Sequence, residues 1–168
     1  MSYSLYDATV VMAQGALKSL DRILCQAEQH PNAASFFTAR LVDDMKPLTF
    51  QVHYATFEAE AMAAELCGQE YKAPEDDLDS YEKMHGRIEH ALKELEKLDK
   101  ESVNRVGETT THTTSHKGGV EVPVKVLAGS KCMPNIYFHV TMAYAILRME
   151  GVTLAKRDWS RAFVAEYV

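Results

Sequence analysis

The chain has 168 residues, 46% apolar and 25% charged, proportions that suit one domain spanning residues 1–168 with room for a real hydrophobic core. Its formal charge of -6 argues against nucleic acid or an anionic membrane surface as a partner, because both select basic patches. No apolar run approaches the roughly 20 residues of a membrane helix. Met1-Ser2-Tyr3-Ser4-Leu5-Tyr6-Asp7 has neither the basic start nor the apolar block of a secretory signal. Cys25, Cys67 and Cys132 show no Cys-x-x-Cys spacing and, being three, cannot all pair internally. The expected setting is therefore reducing and cytoplasmic.

Tyr6, Val10, Ala13, Leu17, Leu20, Leu24 and Ala27 recur at alternating steps of four and three, which places them on one face of a first helix. Pro31 and Asn32 end it, and Ser35-Phe36-Phe37 is expected to tuck a short turn against the core. A second helix is predicted from near Pro47 to Cys67, with Gly68 as its stop. Leu48, Val52, Ala55, Ala59 and Leu66 form its main apolar stripe, while His53 aligns with Phe50, Phe57, Glu60 and Ala64 on another side. Gln69 to Asp79 reads as a solvated acidic linker, and Asp79 with Glu82 resembles a capping box for a third helix. That helix shows Tyr81, Met84, His85, Ile88, Leu92, Leu95 and Leu98 on one face.

From Gly107 the pattern changes. Val120, Val122, Val124 and Val126 alternate with Glu121, Pro123 and Lys125 beyond a Lys117-Gly118-Gly119 turn. Period-two alternation around a glycine turn predicts a β-hairpin inserted at about 107–129, with Pro123 at an edge. A fourth helix then runs from Pro134 to Arg148, where proline suits a first turn because its missing N–H would have no partner there. Gly151 caps this helix, and Lys156-Arg157-Asp158-Trp159 starts a short terminal segment. The predicted fold class is all-α, a four-helix bundle with a small β-hairpin between helices three and four. No glycine-rich phosphate loop, Gly-x-Ser-x-Gly elbow or His-Glu-x-x-His motif is present.

The string Pro134-Asn135, Phe138-His139-Val140-Thr141, Ala143-Tyr144, Ile146-Leu147-Arg148, Gly151-Val152, Leu154 and Lys156-Arg157-Asp158 carries a resemblance. Weaker parts of it are Ser4-Leu5-Tyr6-Asp7-Ala8 and Asp44-Met45-Lys46-Pro47-Leu48-Thr49-Phe50-Gln51-Val52. On these residues the chain resembles an uncharacterised-domain branch of the DinB/YfiT-like superfamily. The resemblance implies an up-down four-helix bundle, often a homodimer, and no particular reaction. Two stretches depart from it: Lys131-Cys132-Met133, and Thr109 to His116.

Metal-binding relatives in that superfamily use one histidine from the second helix and an i,i+4 pair from the fourth. His53 matches the first and His139 one member of the pair, so these two are the metal candidates. Ala143 and Asn135, four residues to either side of His139, do not restore the triad, and Glu60 is a distant substitute. The cofactor expectation is accordingly none, with a divalent metal as the remaining alternative.

His139 is a lone imidazole in an otherwise apolar helix. It is either a core histidine held by a polar partner or one lining a small-molecule pocket, since bundle cores host both. His53, Phe50, Phe57, Asn135 and Met142 are the candidate substrate-binding residues. In a catalytic version His139 acts as general acid or base, and Tyr137 or Tyr144 orients it or the substrate. Tyr137, Thr141, Tyr144 and Arg148 also form a stripe suited to a helix–helix or dimer contact. His112 and His116 share a strand face and read as solvent-exposed polar residues, with a weak pair of metal ligands as the alternative; Cys132 reads as an unreactive, partly buried thiol, the alternative being a pKa lowered by the dipole of the fourth helix it precedes. His30, His85 and His90 fall in no recognisable constellation.

Three functional readings follow. The first is a small-molecule-binding protein, in one version an enzyme using His139. The second is a non-enzymatic dimeric structural or interaction module. The third is a divalent-metal-dependent transferase or hydrolase of the DinB-like kind.

Overall fold

The amphipathic segments form helices close to where their spacing places them. The computed structural model describes residues 3–113 and 120–165, and these are mostly helical with one small antiparallel hairpin. A π-helical turn at Asp7–Val11 leads into α1 (Met12–Glu28). The predicted face of this helix, from Val10 through Ala13, Leu17, Leu20 and Leu24 to Ala27, is fully buried, while Tyr6 packs on the core only in part. A 3-10 segment at Ala33–Thr38 carries Phe36 into the core, which is the tuck that Ser35-Phe36-Phe37 predicts.

Helix α2 (Leu48–Cys67) ends at Gly68, whose φ of 67° lets the Gln69 N–H turn back to the Ala64 carbonyl at 2.9 Å. That six-to-one bond closes a helix and requires the left-handed conformation glycine adopts without strain. Helix α3 (Tyr81–Glu96) is capped by Ser80, whose hydroxyl accepts from the Lys83 N–H. The predicted Asp79 cap is therefore displaced by one residue: Ser80 has the extended backbone of a cap, and Asp79 pairs with Lys83 Nζ at 3.0 Å instead. The third helix is also broken. Asp99 accepts from the Ser102 N–H at 2.9 Å and starts α4 (Lys100–Thr109).

Strands β1 (Thr111–Thr113) and β2 (Glu121–Pro123) pair antiparallel, with His112 opposite Val122. The predicted glycine turn and His116 lie outside the described residues. The second strand is shorter than its valine alternation implies: it stops at Pro123, and Val124–Leu127 form helix α5. A π-helical turn at Ala128–Cys132 then leads into α6 (Met133–Met149). Pro134 is thus not at a free helix start. The backbone at Leu127, Ala128, Cys132 and Met133 is right-handed helical throughout, and the Met133 N–H reaches back to Ala128 O. This widened turn directly precedes a residue that lacks an N–H and would crowd the carbonyl four positions back.

After Gly151 (φ 92°), α7 (Lys156–Ser160) and a 3-10 turn at Arg161–Phe163 fold back onto α1. Helix α1 packs on α3 and α6, and α2 packs on the same two helices. The α1–α3 edge and the α2–α6 edge are consequently separate seams on opposite sides. Among the described residues, no helix is long and apolar enough to cross a membrane.

Candidate functional site

The α2–α6 seam carries two polar pairs, Gln51 with His139 and Glu58 with Asn135. The Gln51 side-chain NH2 donates to the Lys46 carbonyl at 2.9 Å, which turns its Oε1 toward His139 Nδ1 at 2.8 Å. An amide oxygen only accepts, so Nδ1 carries the imidazole proton and Nε2 keeps a lone pair. His139 is 8% exposed, and burial pushes its pKa down to about 4, so it is neutral at pH 7. Its ring lies 4.6 Å from Tyr54, 5.2 Å edge-on to Phe138 and 6.0 Å edge-on to Phe50. Tyr54 is the aromatic neighbour that the sequence reading did not single out; it lies three residues after Gln51, and only the pairing with α6 reveals it.

His53 sits on the same side of α2, stacked on Phe57 with centroids 6.4 Å apart and at 6.4 Å from Phe50. Arg87 Nη1 stands 3.3 Å from His53 Nδ1. A guanidinium only donates, so this lone pair is occupied and the His53 proton is on Nε2. Burial chiefly, with the Arg87 charge adding to it, holds the His53 pKa below the usual histidine value against the opposing pull of Asp76, Asp77 and Glu60. Arg87 also donates to the Glu75 carbonyl at 3.0 Å and to Asp77 at 3.1 Å. The acidic linker is therefore strapped over His53 instead of simply solvated. Tyr71, from the same linker, packs at a tilt against Phe57 and donates to Glu60 Oε2 at 2.8 Å, while His90 Nδ1 lies 2.9 Å from Glu60 Oε1. Both Glu60 oxygens are committed.

One turn before His139, Asn135 donates to Glu58 Oε1 at 3.4 Å. Glu58 is fully buried, with Lys131 Nζ 3.7 Å from Oε1 and, among the described residues, no partner for Oε2. Burial raises its pKa, and Lys131 and the Cys132 thiol only partly offset that rise. Cys132 is the buried thiol of the main expectation, not the activated one: burial and the neighbouring Glu58 push its pKa up to about 12. Met142, three residues beyond His139, is half-buried.

The structure brings His139, His53, Phe50, Phe57 and Asn135 to one side of α2 and α6. It does not bring Tyr137 and Tyr144 there. Tyr137 packs against Phe163 at 5.8 Å and Trp159 at 6.5 Å, and Tyr144 with Thr141, Lys156 and Trp159 lines a shallow recess of about 260 Å³. The predicted contact stripe is thus covered by the chain's own C-terminal segment. His112 pairs with Glu65 at 2.7 Å on the wall of an open cleft of about 560 Å³. His30 packs at a tilt against Phe36, centroids 5.2 Å apart. Among the described residues, no group of three or more histidine, cysteine or acidic donors within reach of one ion includes His53 or His139.

A family model described as "Domain of unknown function (DUF1993)" matches residues 5–160. The chain is also similar to the crystal structure of a DinB family member protein from Shewanella denitrificans. The two are 31% identical with a TM-score of 0.84, over 92% of this chain and 90% of that one. No curated protein sequence matches.

Proposed function

The chain belongs to the DUF1993 family, and on that premise we propose that it is a single-domain, up-down four-helix bundle that binds a small organic molecule at the α2–α6 seam. The carrying observation is the Gln51–His139 pair. It leaves Nε2 uncharged with its lone pair, on an imidazole whose ring neighbours are Tyr54, Phe50 and Phe138. Such a site takes a flat ligand that stacks on an aromatic face and offers one O–H or N–H to the imidazole.

A pKa of about 4 makes His139 a good hydrogen-bond acceptor and a weak base at neutral pH. General-base catalysis requires a value nearer the working pH, so an enzymatic version needs an anionic substrate beside the imidazole to raise it. Tyr54, not Tyr137 or Tyr144, is the tyrosine in ring contact with His139. The superfamily's metal chemistry does not fit this seam, because His53 has given its Nδ1 lone pair to Arg87 and, among the described residues, no third donor joins the pair. The reading retains a cytoplasmic setting and involves neither nucleic acid nor membrane, in keeping with the net charge of -6.

Native mass spectrometry of the purified protein, followed by thermal-shift titration with small phenols and aromatic carboxylic acids, tests the proposal. A retained or added ligand whose affinity falls at least tenfold in His139→Ala supports it. Absence of binding, or binding unchanged by that substitution, overturns it.

A second reading has its own observation: Phe138, beside His139, is 52% exposed. An aromatic ring left in water on this rim suits a homodimer contact. Sedimentation of the wild type and Phe138→Glu distinguishes the two, because only a dimer contact through this ring is dissociated by the substitution.

A further inference from the structure

Asp21, Cys25 and Glu28 occupy positions i, i+4 and i+7 of α1, one face of that helix. His85 meets them from α3. Its Nδ1 is 2.5 Å from Asp21 Oδ1 and its Nε2 is 3.8 Å from Glu28 Oε2. One donor atom each from Asp21, Cys25 and His85 all lie within 4.8 Å of one another. A tetrahedral zinc ion with bonds of about 2.0–2.3 Å holds its donors roughly 3.3–3.8 Å apart, so small side-chain shifts bring these three onto one ion.

Among the described residues, His85 Nε2 is shielded from water and has no hydrogen-bond partner, and the Glu28 carboxylate 3.8 Å away is the acceptor that completes it once Nδ1 is committed to an ion. Cys25 stands beside the two carboxylates on this face of α1 and is exposed, so its sulfur is open to an ion. A divalent ion takes it as the thiolate.

We propose that Asp21, Cys25 and His85 form a zinc(II)-binding site on the α1–α3 edge, opposite the His139 seam. The ion is held by a carboxylate oxygen, a thiolate and His85 Nδ1. The His85 Nε2–H then turns to Glu28, which orients the ring, as carboxylates behind zinc-bound histidines do. Three protein donors of mixed N, S and O character leave a fourth tetrahedral position for water. Binding displaces the Cys25 thiol proton to solvent and involves no redox change. A bare hydrogen bond between His85 and Asp21 is the competing account, and it gives Cys25 no role.

Cobalt(II) serves as the spectroscopic probe, titrated into the full-length reduced protein and then displaced by zinc. The expected result is one equivalent bound with a sulfur-to-cobalt charge-transfer band that zinc removes. Cys25→Ser abolishes the band, His85→Gln weakens binding at least tenfold, and Cys67→Ser leaves both unchanged. Cys25 and Cys67 are exposed, so their serine variants are expected to fold, and circular dichroism checks this. Lack of a charge-transfer band in the wild-type protein overturns the proposal, as does a band that survives in folded Cys25→Ser.

Discussion

Gln51 Oε1 and His139 Nδ1, 88 positions apart in sequence, stand 2.8 Å apart across the α2–α6 seam. Because Lys46 O holds the other end of the Gln51 amide, the glutamine cannot flip, and it fixes which imidazole nitrogen carries the proton.

Replacing Gln51 by Leu should leave His139 Nδ1–H without an acceptor in a dry environment. An unsatisfied buried donor costs about 1–3 kcal/mol. Urea unfolding is expected to show that loss, with His139→Phe added to Gln51→Leu recovering part of it. If the double substitution loses the full sum of the two single effects, the hydrogen bond is not the coupling between the residues.

The depressed His139 pKa makes a pH prediction. The folded protein holds this imidazole at about 4, against 6.5 for an ordinary histidine. Below pH 6.5 the unfolded chain therefore binds a proton that the folded chain refuses. Stability from this group is complete above pH 6.5 and is lost as pH falls through 4, a drop on the order of 3 kcal/mol. His139→Gln should flatten the acid limb of the stability curve between those values, and NMR should show the His139 ring neutral at pH 6.

These two relationships were not written in local spacing, and that separates what the sequence shows from what it hides. The first helix was legible because Val10, Ala13, Leu17, Leu20, Leu24 and Ala27 repeat within a single element, and all are fully buried. The end of α2 was legible because Gly68 supplies its own conformational reason. The break before α4 was hidden because Leu95 and Leu98 continue the helical spacing across it, both buried. Helix α5 was hidden because valines at alternate positions have strand character, while Pro123 and the buried Val124 begin a helix. His139 and His53 stood out as ionisable groups on apolar helices. Their partners Gln51 and Arg87, and the meeting of Cys25 with His85, depend on which helices become neighbours, and no period of 3.6 encodes that.

Glu58 should respond to pH in the opposite direction to His139. Its carboxyl is fully buried, with Oε2 unpartnered among the described residues and its pKa raised by burial. The folded state favours the protonated acid, so the stability linked to this group is present below the ordinary value of 4.5 and is lost as pH rises through the raised one. Glu58→Gln keeps the shape and the hydrogen bonding to Asn135 without a charge to bury. The variant should gain on the wild type steadily from pH 5 to pH 8 in thermal melts. A difference that stays constant over that range, or moves the other way, would show that Lys131 at 3.7 Å already neutralises the carboxylate in the fold.

The C-terminal segment offers the last prediction, through the contact of Gly15 with Phe163. A Cβ at position 15 would meet Phe163 Cδ1 at 2.9 Å and the Phe163 backbone Cα at 3.2 Å. The ring can rotate, but the backbone atom moves only if the segment moves. One helical turn further along α1, the Ser19 hydroxyl donates to the Trp159 carbonyl, and Trp159 packs on Phe163 at 4.9 Å and on Tyr137 at 6.5 Å. Gly15→Val should therefore lift Arg161–Phe163 from α1 and carry Trp159 toward water, uncovering Tyr137 and Tyr144. Trp159 is the only tryptophan in the chain, so its emission reports the movement without interference. A red shift is expected with helical circular dichroism nearly unchanged, because the four long helices α1, α2, α3 and α6 keep their own apolar contacts. Emission identical to the wild type would mean that the segment absorbs the side chain without moving. A collapse of the helical signal would mean that the segment is integral to the core instead of a cover laid over it.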